Sequence, residues 1–235
     1  MTHIVLVHGA FHGGWCWSEV AAGLTQRGHT VVAPDLPGSG DDRTPVEEVT
    51  LESAVDRVIE ALKASDEPSV LVAHSMGGIV TTQAAAQVPE LISRLVYVTA
   101  FRPVDGESLL DLTHLPEGAG DGVQANITVA GEPPVATFDF EKANDVFGNG
   151  VPAHLAQEAA AKLTPQPLSL FATPVSIRAA ALPPAEYVIC SEDRAIPPAL
   201  QELMATREPA RTHRLAAGHS PFYSHPQEIV DILLS

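Results

Sequence analysis

The chain has 235 residues, of which 45% are hydrophobic and 18% are charged. This length allows one domain, or one domain with a sizeable insertion, and the composition excludes disordered, collagen-like and coiled-coil proteins. The formal net charge of −16 gives a surface that repels polyanions, so we expect neither nucleic acid nor an anionic membrane as a partner.

Membrane segments and export signals are not expected from this sequence. No apolar stretch approaches the roughly 20 residues that span a bilayer, and the first residues contain neither a basic segment nor an apolar run longer than residues 4–7. Cys16 and Cys190 are too few for a disulfide framework, and both are predicted to be reduced packing residues. These features predict a cytoplasmic protein.

Short apolar runs alternate with segments of helical period along most of the chain. The runs are rich in β-branched residues and predict strands buried on both faces, at residues 3–7, 30–33, 70–73, 95–99, 187–190 and 212–215. The helical segments lie at residues 17–27, 51–63, 76–88, 197–206 and 226–234. This alternation predicts an α/β fold with a mostly parallel six-stranded sheet wrapped by helices.

One region breaks the alternation after the fourth predicted strand. Residues 104–173 are dense in Gly, Pro and Asp, and their helical patches at 144–147 and 153–162 are short. We predict that this region is a cap (lid) inserted into a core formed by residues 1–103 and 174–235. The scattered apolar residues of the region predict an apolar underside, formed by Leu112, Leu115, Phe138, Phe140, Phe147, Leu155, Leu163, Leu168 and Phe171.

The sharpest chemical signal is the sequence LVAHSMGG at residues 71–78. It predicts a strand that turns abruptly into a helix, with Ser75 strained at the turn and its hydroxyl lifted clear of the sheet. Gly77 provides the small residue that such a turn needs, and Ala73 replaces the more usual glycine. A serine between a strand and a helix is otherwise most simply an N-cap, but the residues on both sides favour a nucleophile.

A serine nucleophile needs a base, and the base needs a residue that orients it. On this type of fold the chain order is Ser, acid, His, with each residue on a loop after a strand. Asp193 follows the predicted strand at 187–190, and His219 follows the last predicted strand. We therefore predict a catalytic triad of Ser75, Asp193 and His219.

Other readings of these acids and histidines remain open at this point. Asp193 alone could be a turn or cap residue, and His219 alone could be a loop histidine without a partner. Asp105 follows the fourth predicted strand and could also reach a histidine, and Glu192 adjoins Asp193. Asp35 precedes Ser75 within a Pro-rich turn and is predicted to be structural. We rank Asp193 above all of them.

Acyl transfer passes through an oxyanion that needs two fixed hydrogen-bond donors. We predict the backbone N–H groups of Met76, directly after the nucleophile, and of Ala10, in the glycine-rich loop after the first strand. That loop has neither the spacing nor the lysine of a nucleotide-binding loop. His8 and His12 have the spacing of metal ligands but no Cys or carboxylate at ligand spacing, so we expect no metal and no cofactor.

These residues resemble the α/β-hydrolase fold and, more narrowly, the plant methylesterase and hydroxynitrile lyase family with its bacterial relatives. The resemblance rests on HGAFHGGWCW near the start, AHSMGG at the turn, YVICSEDRAIPPALQ around Asp193 and AAGHSPFYSHP around His219. It spans the whole predicted sheet, whereas the cap is much less similar. The resemblance implies the same triad, the same oxyanion donors and the option of a homodimer.

The lyase branch of the family has a Thr and a Lys at two positions that differ here. Its Thr corresponds to Gly9 and its Lys to Ser220 in this sequence. The resemblance therefore implies hydrolysis rather than cyanohydrin cleavage.

Together these features predict a serine hydrolase that cleaves a small to medium hydrophobic carboxylic ester through an acyl-enzyme. Methyl and aryl esters are the first candidates, with lactones and thioesters after them. The apolar side chains expected around the substrate are Phe11, Trp15, Leu112, Phe138, Phe147, Phe222 and Tyr223. Two alternatives use the same scaffold: a ligand-binding protein without turnover, and an acyl transferase or cyclase whose cap excludes water.

Overall fold

The computed structural model of the chain describes residues 1–177, 181–208 and 210–235. The strands in chain order are β1 (His3–Val7), β2 (Thr30–Val32), β3 (Ser69–Ser75), β4 (Ile92–Ala100), β5 (Ile127–Ala130), β6 (Val135–Phe138), β7 (Gln166–Pro167), β8 (Ala185–Cys190) and β9 (Ala210–Leu215). The helices are α1 (Ser18–Gln26), α2 (Leu51–Leu62), α3 (Gly77–Gln87), α4 (Leu109–Thr113), α5 (Ala143–Val146), α6 (Ala153–Ala160), α7 (Leu168–Ala172), α8 (Pro198–Arg207), α9 (Pro221–Ser224) and α10 (Pro226–Leu233).

Six of the strands form one parallel sheet in the order β2-β1-β3-β4-β8-β9. Each predicted strand is present, and the prediction of a six-stranded α/β sheet wrapped by helices is confirmed. Because all six strands run in the same direction, their carboxyl ends meet at one edge of the sheet, where ligand sites of α/β proteins usually lie. The loops after β1, β3, β8 and β9 therefore converge.

The sheet is covered on both faces, so its strands are apolar throughout rather than alternating. On one face Ile4 and Leu6 of β1 pack with α1 and α10, in a cluster that includes the fully buried Trp17. On the other face Val5 and Val7 pack with α2, α3 and α8. The two layers thus cover the sheet on both sides.

Helix α2 shows how the sequence sets these layers. Thr50 precedes it, and its hydroxyl accepts a hydrogen bond from the Ser53 N–H at 3.0 Å, while the Ser53 hydroxyl accepts one from the Thr50 N–H at 3.0 Å. This reciprocal cap fixes where the helix begins. Its apolar face then packs on the sheet.

Residues 104–173, which we call the cap, contain more regular structure than their composition suggests. A small antiparallel sheet, in the order β5-β6-β7, joins the short helices α4 to α7. The predicted patches at 144–147 and 153–162 correspond to α5 and α6, whereas the small sheet was not predicted. Residues 178–180 and 209, within the predicted core, lie outside the described residues. Across the described residues, every helix is too short or too polar to traverse a bilayer.

Candidate active site

Ser75 lies at the sharp turn between β3 and α3. Its φ of +52° is in the left-handed region, which a non-glycine residue adopts only when its surroundings enforce it. The turn is crowded on its helical side: a Cβ on Gly77 would lie 2.6 Å from the His8 carbonyl oxygen, and one on Gly78 would lie 2.0 Å from the Phe101 carbonyl oxygen. Only glycine fits at these two positions, so the sequence motif and the strained turn require each other.

Gly9 leaves the space that the Ser75 side chain occupies. A Cβ at this position would lie 2.6 Å from the Ser75 Cβ and 3.2 Å from its Oγ. No larger residue fits here unless the serine moves.

Asp193 is buried at the end of β8 and is held by several donors. Its Oδ1 accepts hydrogen bonds from the N–H groups of Ala195, at 2.7 Å, and Ile196, at 2.9 Å. Its Oδ2 accepts from the Thr99 hydroxyl and from Gln201 Nε2. These hydrogen bonds fix the carboxylate in one orientation and give both of its buried oxygens donors.

The same Oδ2 also accepts a hydrogen bond of 2.7 Å from His219 Nδ1. Because a carboxylate oxygen only accepts, His219 carries its proton on Nδ1 and leaves the Nε2 lone pair as the available base. His74 Nε2 donates to the His219 backbone carbonyl at 2.8 Å, and the two rings lie 4.5 Å apart. The loop after β9 is therefore tied directly to the residue before the nucleophile.

The structure brings the three predicted triad residues to one end of the sheet. His219 is bonded to Asp193 and touches His74, next to Ser75. The Phe147 ring lies 5.7 Å from the His219 ring and lines the same cavity as Ser75. Among the described residues, none forms a hydrogen bond with the Ser75 hydroxyl.

Ala10 and Met76, the predicted oxyanion donors, line the cavity together with Ser75. The loop around Ala10 is fixed by hydrogen bonds: His12 Nδ1 donates to the Ala10 carbonyl at 2.8 Å. From the cap, Gln166 Oε1 accepts from the Phe11 N–H at 3.1 Å, and its Nε2 donates to the Ser39 hydroxyl at 3.1 Å. Gln166 is 1% exposed. The cap thus helps to hold the loop that carries Ala10.

Backbone strain is concentrated at this end of the sheet. Phe11, Ser75 and Thr99 are the non-glycine residues of the described chain with positive φ, at +64°, +52° and +37°. Phe11 and Ser75 line the cavity, and Thr99 donates to the Asp193 carboxylate. Such strain persists where the surrounding packing over-determines the conformation, and it is typical of functional sites.

The other acids considered as partners of the histidine are Asp35, Asp105 and Glu192. Asp35 accepts hydrogen bonds from the N–H groups of Gly14 and Asp41, as a structural turn residue does. Asp105 is exposed and accepts from the Ile177 N–H. Glu192 is exposed. Of the four acids, Asp193 is the one that forms a hydrogen bond with His219.

The other histidines near the site are neutral, and their rings form hydrogen bonds with the backbone. His8 Nδ1 donates to the Gly9 carbonyl, and its Nε2 accepts from the Leu36 N–H at 3.0 Å. Burial lowers the pKa of His8 and of His74, and it lowers that of His12 to about 4. Among the described residues, no cluster of three or more His, Cys, Asp or Glu side chains has the arrangement of a metal site.

The cavity beside Ser75 lies between the core and the cap, with an empty space of about 440 Å³ including its mouth. Its walls are mainly apolar and aromatic, as in typical small-molecule sites. The core contributes Ala10, Phe11, Ser75, Met76, Phe101, Ala195 and Ile196, and the cap contributes Leu109, Thr113, Asp121, Val123, Gln124, Ile127, Phe147 and Phe171.

Of the seven apolar residues expected around the substrate, Phe11 and Phe147 line this cavity. The structure places the other five elsewhere, and we do not retain them as substrate contacts. Phe138 packs between Phe11 and Phe147, with ring distances of 5.9 and 4.5 Å. Leu112 is fully buried in the core cluster.

The remaining three serve packing outside the cavity. Phe222 lies on the opposite face of the sheet, 5.0 Å from the ring of Trp17. Trp15 lines a surface cleft and stacks on His12 at 5.4 Å. Tyr223 lines a smaller neighbouring cleft. These residues are close in sequence to the predicted site motifs but do not line the cavity, because aromatic side chains more often fill the core.

Sequence reasoning missed several residues of the site. Thr99 and Gln201 bind the Asp193 carboxylate, and His74 binds the His219 loop. His74 lies inside the quoted motif, so its place beside the serine was a usable signal. Asp121 lies in an Asp-Gly pair within a glycine-dense segment, which reads as an ordinary turn.

Comparisons with known proteins agree with this geometry. A family model described as "Alpha/beta hydrolase family" matches residues 4–232. Methylesterase 18 of Arabidopsis thaliana is 32% identical over 257 residues, which cover 99% of this chain and 95% of the relative. The carbendazim hydrolyzing esterase of Nocardioides sp. (strain SG-4G) is 41% identical over 127 residues, which cover 53% of this chain and 52% of the relative.

A solved structure has the same fold over nearly the whole chain. The pyrethroid hydrolase from Sphingobium faniae JZ-2 superposes with a TM-score of 0.91 and 28% identity, covering 99% of this chain and 96% of that one. The family match spans well over half of the sequence, and relatives above 30% identity cover almost all of it. The chain therefore belongs to the alpha/beta hydrolase family and is an enzyme of the carboxylic ester hydrolase class.

Proposed function

We propose that this enzyme hydrolyses small to medium hydrophobic carboxylic esters through an acyl-enzyme formed on Ser75. The observation that carries the proposal is the buried Asp193–His219 pair, joined at 2.7 Å, at the same end of the sheet as a strained serine in an apolar cavity. A serine hydroxyl is a weak nucleophile at neutral pH, and a paired imidazole supplies the base it lacks.

In the first half of the reaction, Ser75 Oγ attacks the ester carbonyl carbon and its proton passes to His219 Nε2. Asp193 holds the imidazole in the required tautomer and stabilises the imidazolium that forms. The carbon–oxygen bond to the alcohol then breaks, and His219 returns the proton to the leaving alkoxide. In the second half, His219 takes a proton from water, the hydroxide attacks the acyl carbon, and the acid leaves as Ser75 regains its proton.

In this proposal, the backbone N–H groups of Ala10 and Met76 stabilise the oxyanion. Both residues line the cavity with Ser75, and Met76 directly precedes α3, whose N-terminus favours negative charge. We expect the Ser75 Oγ–His219 Nε2 hydrogen bond to form when an ester occupies the cavity, because catalytic hydrogen bonds commonly tighten only in the substrate complex.

The walls of the cavity and the relatives both support this substrate class. Phe11, Phe101, Phe147 and Phe171 give the cavity aromatic surface suited to a hydrophobic ester. The relatives described above are named as a methylesterase, a pyrethroid hydrolase and a carbendazim hydrolyzing esterase. Hydrolysis is favoured over the lyase reaction because Gly9 and Ser220 stand where the lyase branch has its Thr and Lys.

The test replaces the nucleophile and a matched serine. Ser75→Ala is expected to abolish hydrolysis of p-nitrophenyl acetate and butyrate, a loss of about 10⁶-fold in kcat in comparable enzymes. Ser93→Ala, at an exposed position in β4, is expected to retain full activity. A serine-reactive phosphonate should label the wild type and not Ser75→Ala.

Two outcomes would contradict the proposal. Turnover by Ser75→Ala equal to that of the wild type would remove Ser75 from the reaction. One equivalent of p-nitrophenol followed by a stall, instead of steady turnover, would favour a binding protein on this scaffold.

A further inference from the structure

Asp121 is the ionisable side chain among the described residues that line the cavity. It lies on the cap, is 7% exposed, and shares the cavity with Ser75 and a wall of aromatic residues. Carboxylates are almost never buried unless they are paired, so its presence in an apolar cavity needs a reason.

The two carboxyl oxygens of Asp121 have different environments. Oδ1 accepts hydrogen bonds from the N–H groups of Val123, at 2.7 Å, and Gln124, at 3.0 Å. No described residue donates a hydrogen bond to Oδ2. One oxygen thus anchors the side chain, and the other is an acceptor without an internal donor.

The loop that carries Asp121 is fixed against the catalytic loop. The Gly122 N–H donates to the Arg194 carbonyl at 2.9 Å, and a Cβ on Gly122 would lie 2.5 Å from that oxygen. The Arg194 side chain points to Asp145 and pairs with its carboxylate, so it does not neutralise Asp121. The backbone contact with Arg194, the residue directly after Asp193, therefore fixes the position of Asp121 Oδ2.

The charges around Asp121 leave its carboxylate poorly stabilised. Burial raises its pKa to about 6, opposed by the Gln124 and Val123 N–H groups. Of the ionisable groups that act on it, His219 favours the charged form and Asp193 disfavours it. Near neutral pH the group is mostly ionised, and a hydrogen-bond donor brought by a ligand would compensate for the water it has lost.

We propose that Asp121 is a specificity-determining residue, whose Oδ2 accepts a hydrogen bond from an O–H or N–H group of the substrate. The enzyme would then prefer hydrophobic esters that carry such a donor over esters of the same shape without one. This inference rests on the proposed ester hydrolysis at Ser75.

The experiment compares substrates of equal shape. The probes are methyl esters of phenylacetic acid with a hydroxyl group at the ortho, meta or para position, each paired with the ester that has a methyl group at that position. In the wild type, one hydroxyl isomer is expected to have a kcat/KM about ten- to a hundredfold above its methyl partner, the range of a hydrogen bond to a charged group.

Asp121→Asn is the decisive variant. Its amide oxygen can still accept from the Val123 and Gln124 N–H groups, while its NH₂ replaces Oδ2 and presents a donor to the cavity. We expect the preference for the hydroxyl isomer to fall at least about fivefold, because the NH₂ cannot accept the substrate's O–H and a neutral hydrogen bond is weaker than one to a carboxylate. Asp139→Asn is the matched control, because the exposed Asp139 also accepts from a backbone N–H, that of Glu141.

The outcomes separate this inference from the proposed function. If the wild type hydrolyses the methyl-substituted esters but prefers no hydroxyl isomer, or if Asp121→Asn keeps the preference, the role of Asp121 is refuted and ester hydrolysis stands. An equal loss for both members of a pair would mean that Asp121 acts on the triad and does not read the substrate. If the wild type hydrolyses p-nitrophenyl acetate but neither series, the role of Asp121 is refuted and ester hydrolysis stands; if it hydrolyses none of these esters, both proposals are refuted. The wild-type comparison decides even if the variant fails to fold.

Discussion

Asp121→Asn is expected to stabilise the folded protein, and to do so more strongly as the pH rises. The pKa of the Asp121 carboxyl is raised from its ordinary value of 3.8 to about 6, because burial disfavours its charged form. A raised folded-state pKa means that the unfolded chain releases this proton first, so the wild type loses stability as the pH rises from about 4 to about 6. Asparagine does not titrate and avoids this loss.

The size of the effect follows from the difference in pKa. A group with these two pKa values destabilises the fold by about 3 kcal/mol once it is fully ionised, at 1.36 kcal/mol per pKa unit. Between about pH 4.5 and about pH 7.5, the free energy of unfolding of Asp121→Asn minus that of the wild type should grow by about 2 kcal/mol.

Urea unfolding followed by circular dichroism at several pH values measures this difference. Asp66→Asn, in an exposed turn, controls for the change in net charge and should show no such trend. A difference for Asp121→Asn that stays constant across the pH range would refute the reasoning, because it would show that burial does not penalise the charged form.

Two further predictions concern space at the nucleophile and the buried thiols. Gly9→Ala should lower kcat about 100-fold while the far-ultraviolet circular dichroism is retained. The Cβ of the alanine would displace the Ser75 side chain, and small misplacements of a nucleophile slow the reaction strongly. An unchanged kcat would show that the loop makes room for the Cβ without cost. Cys16 and Cys190 should not react with Ellman's reagent at about pH 8 in the native protein, since burial raises the pKa of both thiols. Both thiols should react after unfolding. Fast labelling of the native protein would contradict their burial.

The parallel six-stranded sheet could be predicted because the sequence repeats one signal. Six short apolar runs separated by helices leave few arrangements for a doubly covered parallel sheet. The positions of Ser75, Asp193 and His219 could be predicted from the alternation, since each lies at or shortly after the end of a strand in this doubly covered sheet. The fold and the family are confirmed, and the triad chemistry remains our proposal.

The cap could not be predicted in the same way. Its helices α4, α5 and α7 have four or five residues, too few for a helical period to appear. Strand β7 has two residues and includes Pro167, so neither length nor composition marks it. The cavity walls depend on how these short pieces pack, which explains why Asp121 was missed.

Gln166 limits how far the cap can move or be replaced to admit new substrates. Its amide joins the cap strand β7 to Phe11 and Ser39 of the core, and the Thr164 N–H donates to the Phe11 carbonyl at 2.9 Å beside it. A cap that swung away as one body would break these bonds and loosen the neighbouring Ala10. Divergence of the cap is therefore constrained at its base, so a graft of another lid onto this scaffold should keep residues 164–167.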